Sequence, residues 1–423
     1  TQHYIQKLSK MIIPIFVLSV FIKICSFPAV TSQTIDCINT CIGPQLQAFL
    51  ISKNSGSYQS LSTGNRARVP RYPLAIFLAQ VKSDIKVALT CGRTCGAPVV
   101  VRAGGHSYED LSSMSNSLII DISNVNAVSV FQNGTTYLAN IDGGARLGRV
   151  YLSLWDAGGW SISAGLCPSV GVGGHISGGG KGMQSRKYGL AADQVVSMKV
   201  LLANGDEVVA NSNSHSDLFW ALRGGGAGSF GIVTQYTVKV FQMPINSMFR
   251  LHFLAAPEVV TAWQTYFPTA PNELGTQLTI ANGQIELLGH YLGTMNDLKA
   301  LLATSGMLSL ASFQYSIYKS CSGIGVRLFL WFDNSCSQTD LLTQLPSSKD
   351  YGKSKSDYVS NPLPTFAVQQ ILNQMAMMYG AYFQMEAGGG FFDTIGSTDT
   401  PYPQRAGSLF VMQYYVPLGQ NEQ

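Results

Sequence analysis

Between Cys167 and Gly182 the chain reads CPSVGVGGHISGGGKG, seven glycines in sixteen residues beside a thiol and an imidazole. Glycine loses more backbone freedom on folding than any other residue, so backbone this bare weakens a helix or a strand. It serves where main-chain N–H groups must approach something that a Cβ would hold away. Two more loops share this character, RAGGHSY at 102–108 and GGAGSFGIVT at 225–234. A P-loop is excluded, because that motif needs Gly where His175 stands and Ser or Thr where Gly182 stands. The G-x-G-x-x-G match from Gly226 to Gly231 follows a helical pattern and runs into a strand, the reverse of a dinucleotide fold. Three bare loops in one region, two of them with His or Cys, are expected to line one large polyanionic cofactor together.

Only 12% of the residues are charged, and the net charge of +4 gathers into no basic block. Nucleic acid is therefore not an expected partner. Lys7 and Lys10 precede the apolar run MIIPIFVLSVFIKICSF, and small residues follow at Ala29 and Ser32. This reads as a secretory signal over residues 1–32, too short and too interrupted by Pro14 and Lys23 for an anchor. A secreted protein with no membrane partner is expected. In an oxidising compartment the cysteines are counted as pairs. Without Cys25 seven remain, and Cys37/Cys41 and Cys91/Cys95 are each four apart, which on helices puts each pair on one face. Two disulfides between these pairs, or less readily a zinc site, would use all four. Cys321 and Cys336 could close a loop, which leaves Cys167 over.

The pattern from Tyr72 to Cys95 predicts a helix, and APVVV a buried strand entering a glycine turn. Asn-Gly at 133–134 and at 204–205 predicts two hairpins. GARLGRVYLSLWDAG reads as a helix ended by Gly158, and SHSDLFWALRGGG as a helix capped by Ser or Asp. FGIVTQYTVKVF reads as a strand. Beyond Pro244 come long alternating strands, GQIELLGHYLG, VRLFLWFDN, GAYFQMEAGG and SLFVMQYYVPL, with helical segments such as PTFAVQQILNQMAMMYG. The expected organisation is α+β: a signal over 1–32, a cofactor domain over 33–244, and over 245–423 a substrate domain of antiparallel sheet covered by helices.

The motifs RAGGHSYEDLS, CPSVGVGGHISGGGKG, KYGLAADQVVSMKVLLANGD, DLFWALRGGGAGSFGIVT and PYPQRAGSLFVMQY carry a resemblance. The region from Arg68 to Phe241 resembles the PCMH-type FAD-binding domain of the vanillyl-alcohol oxidase superfamily, in its berberine-bridge-enzyme-like and oligosaccharide-oxidase branch. The resemblance implies a two-domain FAD-binding fold and FAD held by two covalent bonds, His106 to the 8α-methyl carbon and Cys167 to C6, reaching the ring from opposite edges. The odd-cysteine count singles out the same Cys167. The three loops then supply the cofactor-lining residues Arg102, Gly104, Gly105, Ser107, Val170, Gly173, Gly174, His175, Gly178, Gly231, Ile232 and Val233, with His175 structural and not a base. In plant relatives a small residue at the place of Val170 goes with oxygen reaching the flavin, so Val170 favours an oxidase.

On the substrate side, hydride removal from an alcohol needs a base for the O–H. Gln384 and Glu386 are two apart and share one strand face. In oligosaccharide oxidases a Gln and an acid stand there. Tyr108 and Gln413 match further active-site positions. The resemblance thus implies a secreted oxidase of a small-molecule alcohol or sugar that passes electrons to O2. An oxidase of aromatic alcohols or alkaloid-like amines, or a non-catalytic binding protein, is the alternative. The chain departs from the pattern in three places: Lys181 replaces an aromatic, Val411 replaces a Lys, and Gln423 stands where relatives continue to a catalytic Tyr, so a fragment is expected.

Overall fold

The N-terminal helix Ser32–Ile42 is bolted to the helix Lys82–Thr94 by Cys37–Cys95 and Cys41–Cys91, with Cα–Cα distances of 5.7 and 5.6 Å. Each helix offers two cysteines one turn apart, so both bridges form on facing stripes. A computed structural model describes residues 32–66, 68–226, 228–320, 342 and 351–418. The expected signal, the Cys321–Cys336 loop, the strand in VRLFLWFDN and the end of the chain lie outside the described residues. No helix among the described residues is long and apolar enough to cross a membrane.

The fold is α+β. A four-stranded sheet takes β1 (Leu50–Ser52), β2 (Ala75–Leu78), β3 (Val99–Arg102) and β4 (Leu118–Asp121) in the order β1-β2-β4-β3, with β2, β4 and β3 parallel. Here the predicted helix from Tyr72 is corrected, for its first part is the strand β2. Ala75, Ile76 and Phe77 are fully buried, and a strand buried on both faces shows no alternation to separate it from a helix. The helix starts only at Lys82, where the Asp84 carboxylate accepts the backbone N–H groups of Gln80 and Val81.

The next strands are β5 (Val128–Asn133), β6 (Thr136–Asp142), β7 (Trp160–Ser161), β8 (Val195–Leu201), β9 (Glu207–Asn211), β10 (Ile232–Lys239) and β11 (Phe241–Gln242). Five of them form an antiparallel sheet in the order β5-β6-β10-β8-β9, and β11 pairs with β7. Both Asn-Gly hairpins are present, with Gly134 and Gly205 at φ 62° and 92°. The helix Leu147–Asp156 packs its apolar face on this sheet. The helix Ser216–Ala221 is entered through His215 in the left-handed region, with no side-chain cap from Ser or Asp.

The remaining strands are β12 (Ser247–Leu254), β13 (Leu274–Ala281), β14 (Gln284–Tyr291), β15 (Phe313–Lys319), β16 (Lys353–Val359), β17 (Tyr382–Ala387) and β18 (Phe410–Val416). They make one antiparallel sheet, ordered β15-β12-β14-β13-β17-β18-β16. Its two faces differ because side chains alternate along each strand. Phe249, Leu251, Leu278, Leu287, Met385 and Phe410 pack under the helices Pro257–Tyr266, Met295–Thr304 and Thr365–Met377. Polar residues of the other face look toward the glycine loops across a cavity. Arg186 and Arg405 hold the parts together. The buried Arg186 guanidinium donates to the carbonyls of Pro268, Ala270 and Gly388. Arg405 makes two bonds of 2.9 and 2.8 Å to Asp193, with both side chains almost wholly buried.

Candidate functional site

The loop after β3 crosses the glycine stretch backbone to backbone. A Cβ on Gly104 would overlap the Gly171 amide, and one on Gly171 would overlap Gly104 in return. Gly105 adds a left-handed turn at φ 69° that only glycine adopts freely. This crossing brings His106 to the segment that carries Cys167. His106 Nε2 stands 2.9 Å from Ser169 Oγ, and Cys167 Sγ stands 3.2 Å from the same oxygen. The imidazole and the thiol can be no farther apart than these two lengths laid end to end. Cys167 is a free thiol.

Burial holds the pKa of His106 down to about 4, and the charges of Arg146, Arg66 and His175 push the same way. The ring is therefore neutral near pH 7, with a nitrogen lone pair available. His175 Nε2 accepts the Gly165 N–H at 2.9 Å, which ties the glycine stretch to the segment just before Cys167.

The cavity between these loops and the third sheet has a volume of about 1310 Å³. On one side it is lined by Gly104, Gly105, His106, Ser107, Tyr108, Cys167, Val170, Gly173, Gly174, His175, Gly231, Ile232 and Val233. On the other it is lined by Gln384, Glu386 and Gln413. Two residues expected to line it do not. Arg102 engages its paired residue on β4, where its Nε donates to Asp121 at 2.8 Å, and its Nη1 donates to Leu61 O. Gly178 ends the helix Val172–Ser177 and gives its N–H to Gly174 O.

The cavity fits a large cofactor. Ordinary small-molecule pockets run to roughly 300–1,000 Å³, so this one has room for a dinucleotide and a substrate together. Gly174 lines it, and a Cβ there would meet nothing within 4 Å. A side chain at that place would take space from the ligand and not from the protein.

The cavity is also lined by Arg66, Tyr382 and Tyr415, which had no sequence signal of their own. Lys181 Nζ reaches Glu386 Oε2 at 2.7 Å, linking the glycine stretch to β17. Gln413 Nε2 donates to the hydroxyls of Tyr108 at 3.2 Å and Tyr382 at 3.4 Å. Tyr382 stacks on Tyr415 with ring centroids 4.9 Å apart. The Arg66 guanidinium lies 4.2 Å above the Tyr108 ring and 5.5 Å from the Tyr415 ring. Burial, with Tyr108 adding to it, pushes the pKa of Tyr382 up to about 12, so this phenol keeps its proton at neutral pH.

Comparison with known proteins adds the following. The family described as FAD binding domain matches residues 73–211. Berberine bridge enzyme-like Cyn d 4 of Cynodon dactylon is 36% identical over 81% of this chain and 67% of its own length. FAD-linked oxidoreductase pynB of Aspergillus niger is 33% identical over 73% of this chain, which spans 58% of that protein. Among solved structures, Phl p 4, a grass pollen allergen with glucose dehydrogenase activity, matches with a TM-score of 0.82 at 31% identity, covering 91% of this chain and 81% of that one. An isoleucine-to-valine variant of Phl p 4, described as a glucose oxidase, matches with a TM-score of 0.81 at 31% identity over the same shares.

Proposed function

Because the chain belongs to the berberine bridge enzyme-like family, we propose that it is a secreted FAD-dependent oxidase of a carbohydrate hemiacetal or alcohol, with FAD bound covalently through His106 and Cys167. When bound, FAD supplies the hydride acceptor and passes the electrons to O2, giving H2O2. The observation that carries the reading is the Ser169 hydroxyl, within reach of both the imidazole and the thiol. C6 and the 8α-methyl group belong to the same benzene ring of the isoalloxazine, so two residues that bond them must sit side by side. This supports attachment at one corner of the ring, in place of the opposite edges expected from the sequence.

The other residues take roles that follow from their contacts. With Nε2 of His106 engaged by Ser169, Nδ1 is the nitrogen that would carry the flavin. Lys181 holds the Glu386 carboxylate in the cavity, where it accepts a hydrogen bond from a substrate hydroxyl. Gln384 presents its amide on the same strand face. Gln413 orients the Tyr108 hydroxyl toward the same space. Val170, a small aliphatic lining residue, leaves room for oxygen. The oxidase activity described for a valine variant of Phl p 4 is consistent with aliphatic size deciding oxygen use in this architecture.

The stacked Tyr382 and Tyr415 also suit an aromatic alcohol, which is the second reading. Purified protein is assayed for peroxide release and for dye reduction with glucose, cellobiose, maltose and coniferyl alcohol. Peroxide with the sugars supports the proposal, and peroxide with coniferyl alcohol alone selects the second reading. A bound flavin that no alcohol reduces overturns both.

A further inference from the structure

We propose that Ser169 is a positioning residue for flavin attachment, which the protein carries out on itself: one hydroxyl accepts the Nε2–H of His106 and donates its own proton to the sulfur of Cys167. The first bond leaves the Nδ1 lone pair for the 8α carbon. The second steadies the negative charge that the sulfur carries when it attacks C6, since the thiolate is the nucleophilic form of a cysteine. This deepens the two-tether reading above and rests on it. Ser169 itself bonds no flavin atom and acts through its two neighbours.

The sequence builds this position into a turn. The Val170 N–H meets the Cys167 carbonyl at 3.3 Å, which closes a turn with Pro168 in its second place and Ser169 in its third. The fixed φ of proline suits that second place. The carbonyls of Pro168 and Val170 accept the N–H groups of Gly148 and Leu147, each at 2.9 Å, at the start of the helix Leu147–Asp156. The turn is thus pinned to a helix end on both sides of Ser169, which is only 4% exposed. The crossing of Gly104 and Gly171 then sets His106 within reach, 2.9 Å from the hydroxyl that Cys167 approaches at 3.2 Å.

Counting protons gives the direction of both bonds. A neutral imidazole has one N–H and one lone pair, and a hydroxyl has one proton to give. His106 is neutral near pH 7, because burial disfavours its charged form. If Ser169 gave its proton to Nε2, the imidazole N–H would sit on Nδ1 and block it, and no donor would remain for the sulfur. With Nε2–H donating to the Ser169 oxygen, Nδ1 keeps its lone pair and the Ser169 proton turns to Sγ. One arrangement therefore prepares both nucleophiles. Each attachment then exchanges a C–H bond of the ring system for a bond to the protein, N–C at the 8α carbon and S–C at C6. One proton leaves with the broken C–H bond and one leaves from Nε2 or Sγ. The electron pair of the C–H bond goes to O2, giving one H2O2 for each bond formed. Ser169 accepts from Nε2–H as positive charge develops on the imidazole.

The test mixes the flavin-free full chain with FAD in air and follows each bond by peptide mass over time. In Ser169→Ala both bonds are expected to form about ten- to a hundred-fold more slowly, the size of one lost hydrogen bond to a charged group. Ser169→Thr keeps the hydroxyl and is expected to recover most of the rate, which separates the hydroxyl from a folding defect. The tautomer is read without flavin, by nitrogen NMR of the imidazoles near pH 7. The His106 proton is expected on Nε2 in the unaltered chain and shared between the two nitrogens in Ser169→Ala. Both bonds formed at the unaltered rate in Ser169→Ala, one bond slowed alone, or the His106 proton found on Nδ1 of the unaltered chain overturns the role of Ser169 and leaves the two tethers standing. If the unaltered chain forms neither bond, the two-tether reading falls and this inference with it.

Discussion

At the residue scale the proposed attachment rests on three side chains, His106, Ser169 and Cys167. Removing one tether leaves the other, so His106→Ala and Cys167→Ala are each expected to keep a yellow colour through acid precipitation, and the double variant to lose it. The His106 ring also predicts a pH dependence. Its pKa falls from 6.5 to about 4 in the folded chain. Between those values the unfolded chain binds a proton that the folded chain refuses, so the stability present above pH 6.5 is lost as pH falls toward 4. For the flavin-free protein the loss is on the order of 1–3 kcal/mol, read by denaturant unfolding at both pH values, and it should be absent in His106→Ala. That His106 and Cys167 line one cavity accords with the sequence reading, which took both from the resemblance and Cys167 also from the odd-cysteine count. Ser169 was not legible in the sequence, since a serine acquires its role only when two loops cross. The contacts of Arg102 were hidden for a related reason. Sequence position gave its neighbours along the chain, and the Asp121 carboxylate on the adjacent strand β4 holds its side chain.

Among the elements, the hairpins and the helices at 147–156 and 365–377 followed from turn chemistry and periodicity. The strand β2 did not, because a run buried on both faces has no period to read. The register of the seven-stranded sheet was likewise invisible, although it pairs His252 with Glu286, 34 residues away, and Gln277 with Glu386, 109 residues away. The contact between Gly104 and Gly171 is the element-scale feature on which the site depends. Gly171→Ala forces a Cβ against the Gly104 backbone, where neither loop has a flexible side chain to give way. The expected cost is about 1–3 kcal/mol, seen as a lower melting temperature. A lower flavin-to-protein absorbance ratio should accompany it, since the crossing sets the distance from His106 to Cys167. An unchanged ratio would mean that the crossing does not position the pair.

For the molecule as a whole, the cavity exists because the sheet of β12 to β18 is held against the glycine loops. Arg405 reaches Asp193 across 212 residues of sequence, and both are shielded from water. Arg405→Ala leaves a buried carboxylate without its partner, with an expected loss of about 3–5 kcal/mol in unfolding free energy. Such contacts had no sequence signal, because one arginine in a loop carries no period and its partner is far away. The central claim, a flavin tethered at two points, is tested most directly by tryptic mapping of the yellow protein. Cleavage after Arg102, Arg146, Arg149 and Lys181 puts His106 in the peptide 103–146 and Cys167 in the peptide 150–181. The account predicts one species with the combined mass of both peptides and FAD, absorbing in the visible. Recovery of both peptides separately, with unmodified His106 and Cys167, would contradict it.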